Sequence, residues 1–61
     1  STFIEYLTEQ RLTLAKELLL TTNLRLSEIA FDVGYNDPNY FSFLFKKKEK
    51  ISPKEYRQKN A

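Results

Sequence analysis

The chain has 61 residues, with one Gly, two Pro, no Cys, no His, 41% hydrophobic and 15% aromatic residues. That length allows one small domain of marginal stability, because a chain of about 60 residues buries only about 60% of its unfolded surface. The missing Cys and His exclude a disulfide framework, a thiolate metal site and the commonest general base.

The hydrophobic content is too high for a disordered segment, and so little Gly and Pro argues against a turn-rich β fold. No apolar run approaches the roughly 20 residues that cross a bilayer, and no signal-peptide pattern opens the chain. The expected setting is therefore a reducing, cytoplasmic one, for an all-α protein without membrane contact. The net charge of +2 conceals an asymmetry. Residues 1–37 carry three basic and six acidic side chains, a net of −3, whereas residues 38–61 carry seven and two, a net of +5. A polyanion belongs at the second part.

Thr2 and Glu5 have the spacing of a capping box, so a long helix is expected over residues 3–20. At about 100° per residue, Phe3, Ile4, Leu7, Leu12, Leu14, Ala15, Leu18 and Leu19 share one half-circle, opposite Glu5, Glu9, Gln10, Thr13, Lys16 and Glu17. That arc of about 180° is wider than the roughly 100° stripe one packing partner requires. Two bodies are expected against this helix, of which only one follows it here, so the chain reads as a fragment whose preceding partner is missing.

Thr21, Thr22 and Asn23 are poor helix formers and end this segment. A short helix is expected over residues 26–33, with Leu26, Ile29, Ala30 and Val33 on one face. Gly34 stops it, as the residue best able to adopt a left-handed conformation. Asp37 and Pro38 supply an N-cap and a first-position proline for a third helix over residues 38–48. Ser52, Pro53 and Glu55 repeat that logic with a second capping box, starting a last helix near Pro53.

A short helix, the small Ala30, the turn residue Gly34 four positions on and a second capped helix make up a helix-turn-helix layout. With Pro38 at 0°, Tyr40, Phe41, Leu44, Phe45 and Lys48 fall between about 200° and 340°, the expected core face, with Lys48 snorkelling outward. Pro38, Asn39, Ser42, Phe43, Lys46 and Lys47 occupy the other half, an outward face suited to a major groove. Asn39 has the bidentate amide that pairs with adenine, Ser42 a hydroxyl for a base or phosphate, and Phe43 a ring for a thymine methyl. Lys46 and Lys47 suit phosphates, which fix register without reading sequence. Read in isolation, the lysine run is a solvated surface, Ser42 is merely small, Asn39 is a polar first-turn residue, and Phe43 fits a protein surface as well as DNA.

Three ordered blocks carry a resemblance: Arg11-Leu12-x-x-Ala15-x-x-Leu18-Leu19; Ser27-Glu28-Ile29-Ala30-x-x-Val33-Gly34-Tyr35-x-Asp37-x-x-Tyr40-Phe41-Ser42-x-x-Phe45-Lys46-Lys47; and Ser52-Pro53-x-Glu55-Tyr56-Arg57. Together they resemble the AraC/XylS family of bacterial transcription regulators over nearly the whole chain. The resemblance implies residues 1–22 as the linker helix and residues 23–61 as the second helix-turn-helix unit of a DNA-binding domain, packed as a homeodomain-like three-helix unit. The first unit, and with it a sensor or effector domain, would lie outside the chain. Double-stranded DNA is the implied partner, with Asn39, Ser42 and Phe43 at bases and Lys46, Lys47 and Pro38 at phosphates. Ala30, Gly34, Arg11 and Asp37 would be structural.

The chain departs from the family at Phe43, where a long basic residue is common, and at Lys50, where glycine is usual. A lysine at position 50 implies a costlier left-handed turn or a different one. Arg11 falls at about 80° in the middle of the apolar arc, where an unpaired guanidinium is costly. It is expected to pair with Asp32, Asp37 or Glu28, with a phosphate contact as the runner-up. No catalytic arrangement, metal cluster or cofactor loop is present. Alone, such a chain is expected to bind DNA weakly, at about 10⁻⁴ to 10⁻⁶ M with steep salt dependence. The competing reading is a protein-interaction module docking through helix 3–20 and Phe43; RNA binding lacks the usual stacking platform.

Overall fold

The computed structural model describes residues 2–60. They form four helices, α1 (Phe3–Thr21), α2 (Leu26–Asp32), α3 (Pro38–Glu49) and α4 (Pro53–Lys59), with no strand among the described residues. α1 packs on α2 and α4, and α3 packs on the same two helices. The core between them holds Leu12, Ala15, Leu19, Ile29, Ala30, Val33, Tyr35, Phe41 and Phe45.

The helix boundaries follow from local chemistry. Thr2 and Glu5 close the expected capping box, the Thr2 N–H donating to Glu5 Oε1 at 2.7 Å and the Glu5 N–H to Thr2 Oγ1 at 3.1 Å. α2 ends in a Schellman turn: the Tyr35 N–H reaches back to the Ala30 carbonyl at 2.8 Å and the Gly34 N–H to that of Phe31 at 3.0 Å. Gly34 sits at φ 106° to close it. The Asp37 carboxylate accepts from the Asn39 N–H at 2.9 Å, with Pro38 at the first helical position of α3. Ser52 and Glu55 close a second box at 3.1 Å in both directions. Lys50 follows α3 at φ 76°, so the left-handed position is filled by a residue with a Cβ.

The wide apolar arc of α1 divides lengthwise. Leu12, Ala15 and Leu19, at about 120–180° on the helical wheel, are buried. Phe3 and Leu14, at about 0–20°, are exposed, as is Ile4 in the first turn. α2 and α4 therefore cover one half of the arc and leave the other half open.

Two expectations fail. The ion pair foreseen for Arg11 does not form: among the described residues the salt bridge joins Lys16 and Glu49, with Nζ 3.4 Å from Oε2, tying α1 to the end of α3. Arg11 instead lies with Cζ 5.1 Å from the centroid of the Tyr35 ring. A half-buried guanidinium needs no carboxylate when an aromatic face meets it and its remaining N–H groups stay in reach of water. Tyr40, placed in the core by its angle, is 52% exposed. It stands at the edge of the apolar arc and in the first turn of α3, where its ring meets that of Tyr35 in a T-shaped pair at a centroid distance of 6.0 Å.

Candidate nucleic-acid interface

α3 is fixed from behind by aromatic packing. Phe41 and Phe45 are fully buried, their ring centroids 6.0 Å apart. Phe41 meets Tyr35 at 6.0 Å and Phe45 meets Tyr56 of α4 at 5.6 Å. With these two rings buried, helical geometry dictates what faces out.

Asn39, Phe43, Lys46 and Lys47 are exposed on that outward face, with Ser42 and Pro38 half-buried at its edge. Phe43 is 60% exposed although its neighbours two positions either way are fully buried. Pro38 carries no N–H, and the nearest main-chain donor, that of Asn39, is taken by Asp37. Pro38 therefore offers steric position and no bond.

The charges are not all equivalent. Lys46, Lys47, Lys48, Lys50, Lys54 and Lys59 are exposed. Lys46, Lys47 and Lys48 lie in the last turn of α3, where cations also complement the helix dipole. Arg57, counted from sequence within the basic surface, turns inward instead. Its Nε donates to the Leu19 carbonyl at 3.0 Å, Nη1 to that of Leu24 at 2.8 Å and Nη2 to that of Thr22 at 3.1 Å. One guanidinium thus holds the end of α1 and the loop after it, and pins α4 beneath them. The signal available in sequence was the run of carbonyls left open where α1 stops at Thr21-Thr22-Asn23, but nothing in the sequence assigned Arg57 to them.

Glu55 has its carboxyl held below the ordinary value of 4.5, first by the Ser52 main-chain N–H and side-chain hydroxyl of the capping box and then by the charge of Lys46. Arg11, Gly34 and Tyr35 cluster behind α3: a Cβ built on Gly34 would lie 3.0 Å from Cζ and Nε of Arg11. Ala30 is fully buried between α2 and its neighbours. The arrangement brings Asn39, Ser42, Phe43, Lys46 and Lys47 onto one surface and keeps Arg11, Ala30, Gly34 and Asp37 in the scaffold that presents it. No group of His, Cys, Asp and Glu suited to a metal ion occurs among the described residues, and no helix is long and apolar enough to cross a membrane.

Comparison with known proteins gives a consistent picture. A helix-turn-helix domain family matches residues 1–59. The chain is 52% identical over 54 residues to the uncharacterised HTH-type transcriptional regulator YisR of Bacillus subtilis, covering 88% of this chain and 19% of that protein. It superimposes on the C-terminal domain of AraT, a response regulator from Geobacillus stearothermophilus, with a TM-score of 0.94 and 47% identity, over 97% of this chain and 49% of that one. A similar match, TM-score 0.92 and 51% identity over 93% of this chain and 55% of that one, is to the C-terminal domain of the two-component response regulator yesN from Fusobacterium nucleatum. The chain spans about a fifth of the length of a curated relative such as YisR.

Proposed function

The chain belongs to the AraC/XylS-type helix-turn-helix family, whose relatives include HTH-type transcriptional regulators such as AlkR and RhaR, and on that footing we propose that α3 enters the major groove of double-stranded DNA and reads its sequence. The observation that carries this reading is the division of α3 itself. Phe41 and Phe45 are fully buried while Asn39, Phe43, Lys46 and Lys47 all face solvent, backed by a +5 charge over residues 38–61.

On this reading Asn39 bonds an adenine edge, Ser42 reaches a base or phosphate, and Phe43 contacts the apolar part of a base pair. Lys46 and Lys47 hold phosphates, and Pro38 sets the approach of the helix start. Residues 1–22 serve as the linker helix and residues 23–61 as the second helix-turn-helix unit. The open half of the α1 arc, with Phe3, Ile4 and Leu14 exposed, is the proposed seat of a first unit. In a protein of the length of the relatives, a sensor or effector domain accompanies both.

The test is an NMR titration of the chain with a mixed-sequence duplex at low and high salt. Shifts that cluster on residues 38–48 and fade with salt support the proposal. No response to the duplex, with shifts confined to residues 3–19 when a protein partner is titrated instead, points to docking.

A further inference from the structure

Phe43 is out of place on a surface built for a polyanion. It is 60% exposed and takes part in none of the ring contacts that join Tyr35, Tyr40, Phe41, Phe45 and Tyr56. Asn39 lies one turn before it, and Lys46 and Lys47 lie one turn after it, all exposed on the same face. A phenyl ring has no donor or acceptor, so neither a phosphate nor the polar edge of a base rewards its desolvation. The apolar group that unmodified base pairs present in the major groove is the C5-methyl of thymine. 5-Methylcytosine carries the same methyl at the same ring position.

From this we infer that Phe43 makes the surface a reader of C5-methylated pyrimidines, so that binding responds to methylation of cytosine as well as to thymine. The inference rests on the major-groove reading of α3 and deepens it. The flanking lysines commit the ring to nucleic acid: a protein docking on Phe43 would have to desolvate Lys46 and Lys47, whereas phosphates pair with them. Asn39 specifies its neighbour by hydrogen bonds, and Phe43 adds a contact that depends on one methyl group. The effect is correspondingly modest, about fourfold in affinity, from roughly 0.8 kcal/mol for one buried methyl-sized group.

The experiment selects duplexes that the wild-type chain binds, then replaces each thymine singly by deoxyuridine. At the responsive position it also compares cytosine with 5-methylcytosine. The wild type should bind thymine over uracil, and 5-methylcytosine over cytosine, by about fourfold at one position. Phe43→Ala, a change at an exposed site, should bind thymine and uracil alike, and cytosine and 5-methylcytosine alike, while Phe43→Leu keeps part of the preference. Equal ratios in the wild type and Phe43→Ala, or no response to the methyl in a chain that still binds duplexes with salt dependence, overturn the inference and leave the major-groove reading standing. Failure to bind any duplex, with Phe43→Ala instead weakening capture of a protein, overturns both.

Discussion

The guanidinium of Arg11 rests on the ring of Tyr35, with Cζ 5.1 Å from the ring centroid, and occupies the space a side chain on Gly34 would need. The contact crosses from the long first helix to the turn before α3, and Tyr35 in turn packs on Phe41 of α3. Arg11→Met keeps the apolar stem and removes the charge, so it should lower stability by about 1 kcal/mol, within the range of a cation–π contact. For a domain of this size that is a fall in Tm of about 4–8 °C. Because no carboxylate among the described residues pairs with Arg11, the difference should persist at high salt, where exposed ion pairs are screened. A difference that vanishes in salt would show that Arg11 has a charged partner in solution.

Gly34→Ala should cost about 1–2 kcal/mol, because φ is 106° and L-residues are disfavoured there. It should also displace Arg11, whose atoms lie 3.0 Å from the new Cβ. Combining it with Arg11→Ala relieves the displacement but not the backbone strain, so the two costs should add to less than their sum. Thermal denaturation of the two single variants and the double variant measures this directly.

Arg57 is the residue whose role sequence reasoning missed, and it makes a sharp prediction. Arg57→Ala removes three hydrogen bonds to main-chain carbonyls and should cost roughly 2–3 kcal/mol, allowing for water at the freed carbonyls. Its duplex affinity, measured below the melting range, should keep the wild-type salt slope. A slope reduced by about one unit would place Arg57 at a phosphate instead.

At Lys50 the expected outcome is a gain. Lys50 holds φ 76°, a conformation that costs an L-residue about 1–2 kcal/mol, while glycine gives back part of that saving in unfolded-state entropy. Lys50→Gly should therefore raise stability by roughly 0.5–1 kcal/mol, read as a higher Tm.

Most of the fold was legible because it is written in short-range chemistry. Capping residues at Thr2, Asp37 and Ser52, the turn at Gly34 and the apolar spacing of α1 and α3 each act within a few residues. At Lys50 the family resemblance left open a left-handed turn or a different one, and the backbone takes the left-handed one at φ 76°. What was not legible depends on long-range encounters. The carbonyls that Arg57 meets lie 33–38 residues away in sequence, and nothing local separates an arginine that faces phosphate from one that faces inward. Arg11 was read as needing a carboxylate because its angle is visible in sequence, whereas the placement of the Tyr35 ring beneath it is not. The outward set on α3 followed from angle, but the same periodicity misplaced Tyr40, since a helical wheel does not show where along a helix its packing partner stops.

The pH dependence comes from Glu55. Its carboxyl is depressed below 4.5 in the folded chain, chiefly by the Ser52 N–H and hydroxyl and further by Lys46. A depressed folded value means that the carboxylate's contribution is fully present above the unfolded value and is lost as pH falls through the folded one. The wild type should therefore exceed Glu55→Gln in Tm above about pH 4.5, and the difference should shrink as pH falls below it. A difference that is constant with pH would mean that the Glu55 charge contributes nothing to the cap.

The most direct measurement is the affinity of Asn39→Ala and Lys46→Ala for a panel of selected and single-base-altered duplexes at several salt concentrations. Lys46→Ala should weaken every duplex alike and lower the salt slope by about one unit. Asn39→Ala should leave the slope unchanged and erase about 1–3 kcal/mol of discrimination at a single base pair. Uniform loss across the panel for both variants would contradict sequence reading by α3 and reduce its outward face to a general polyanion surface.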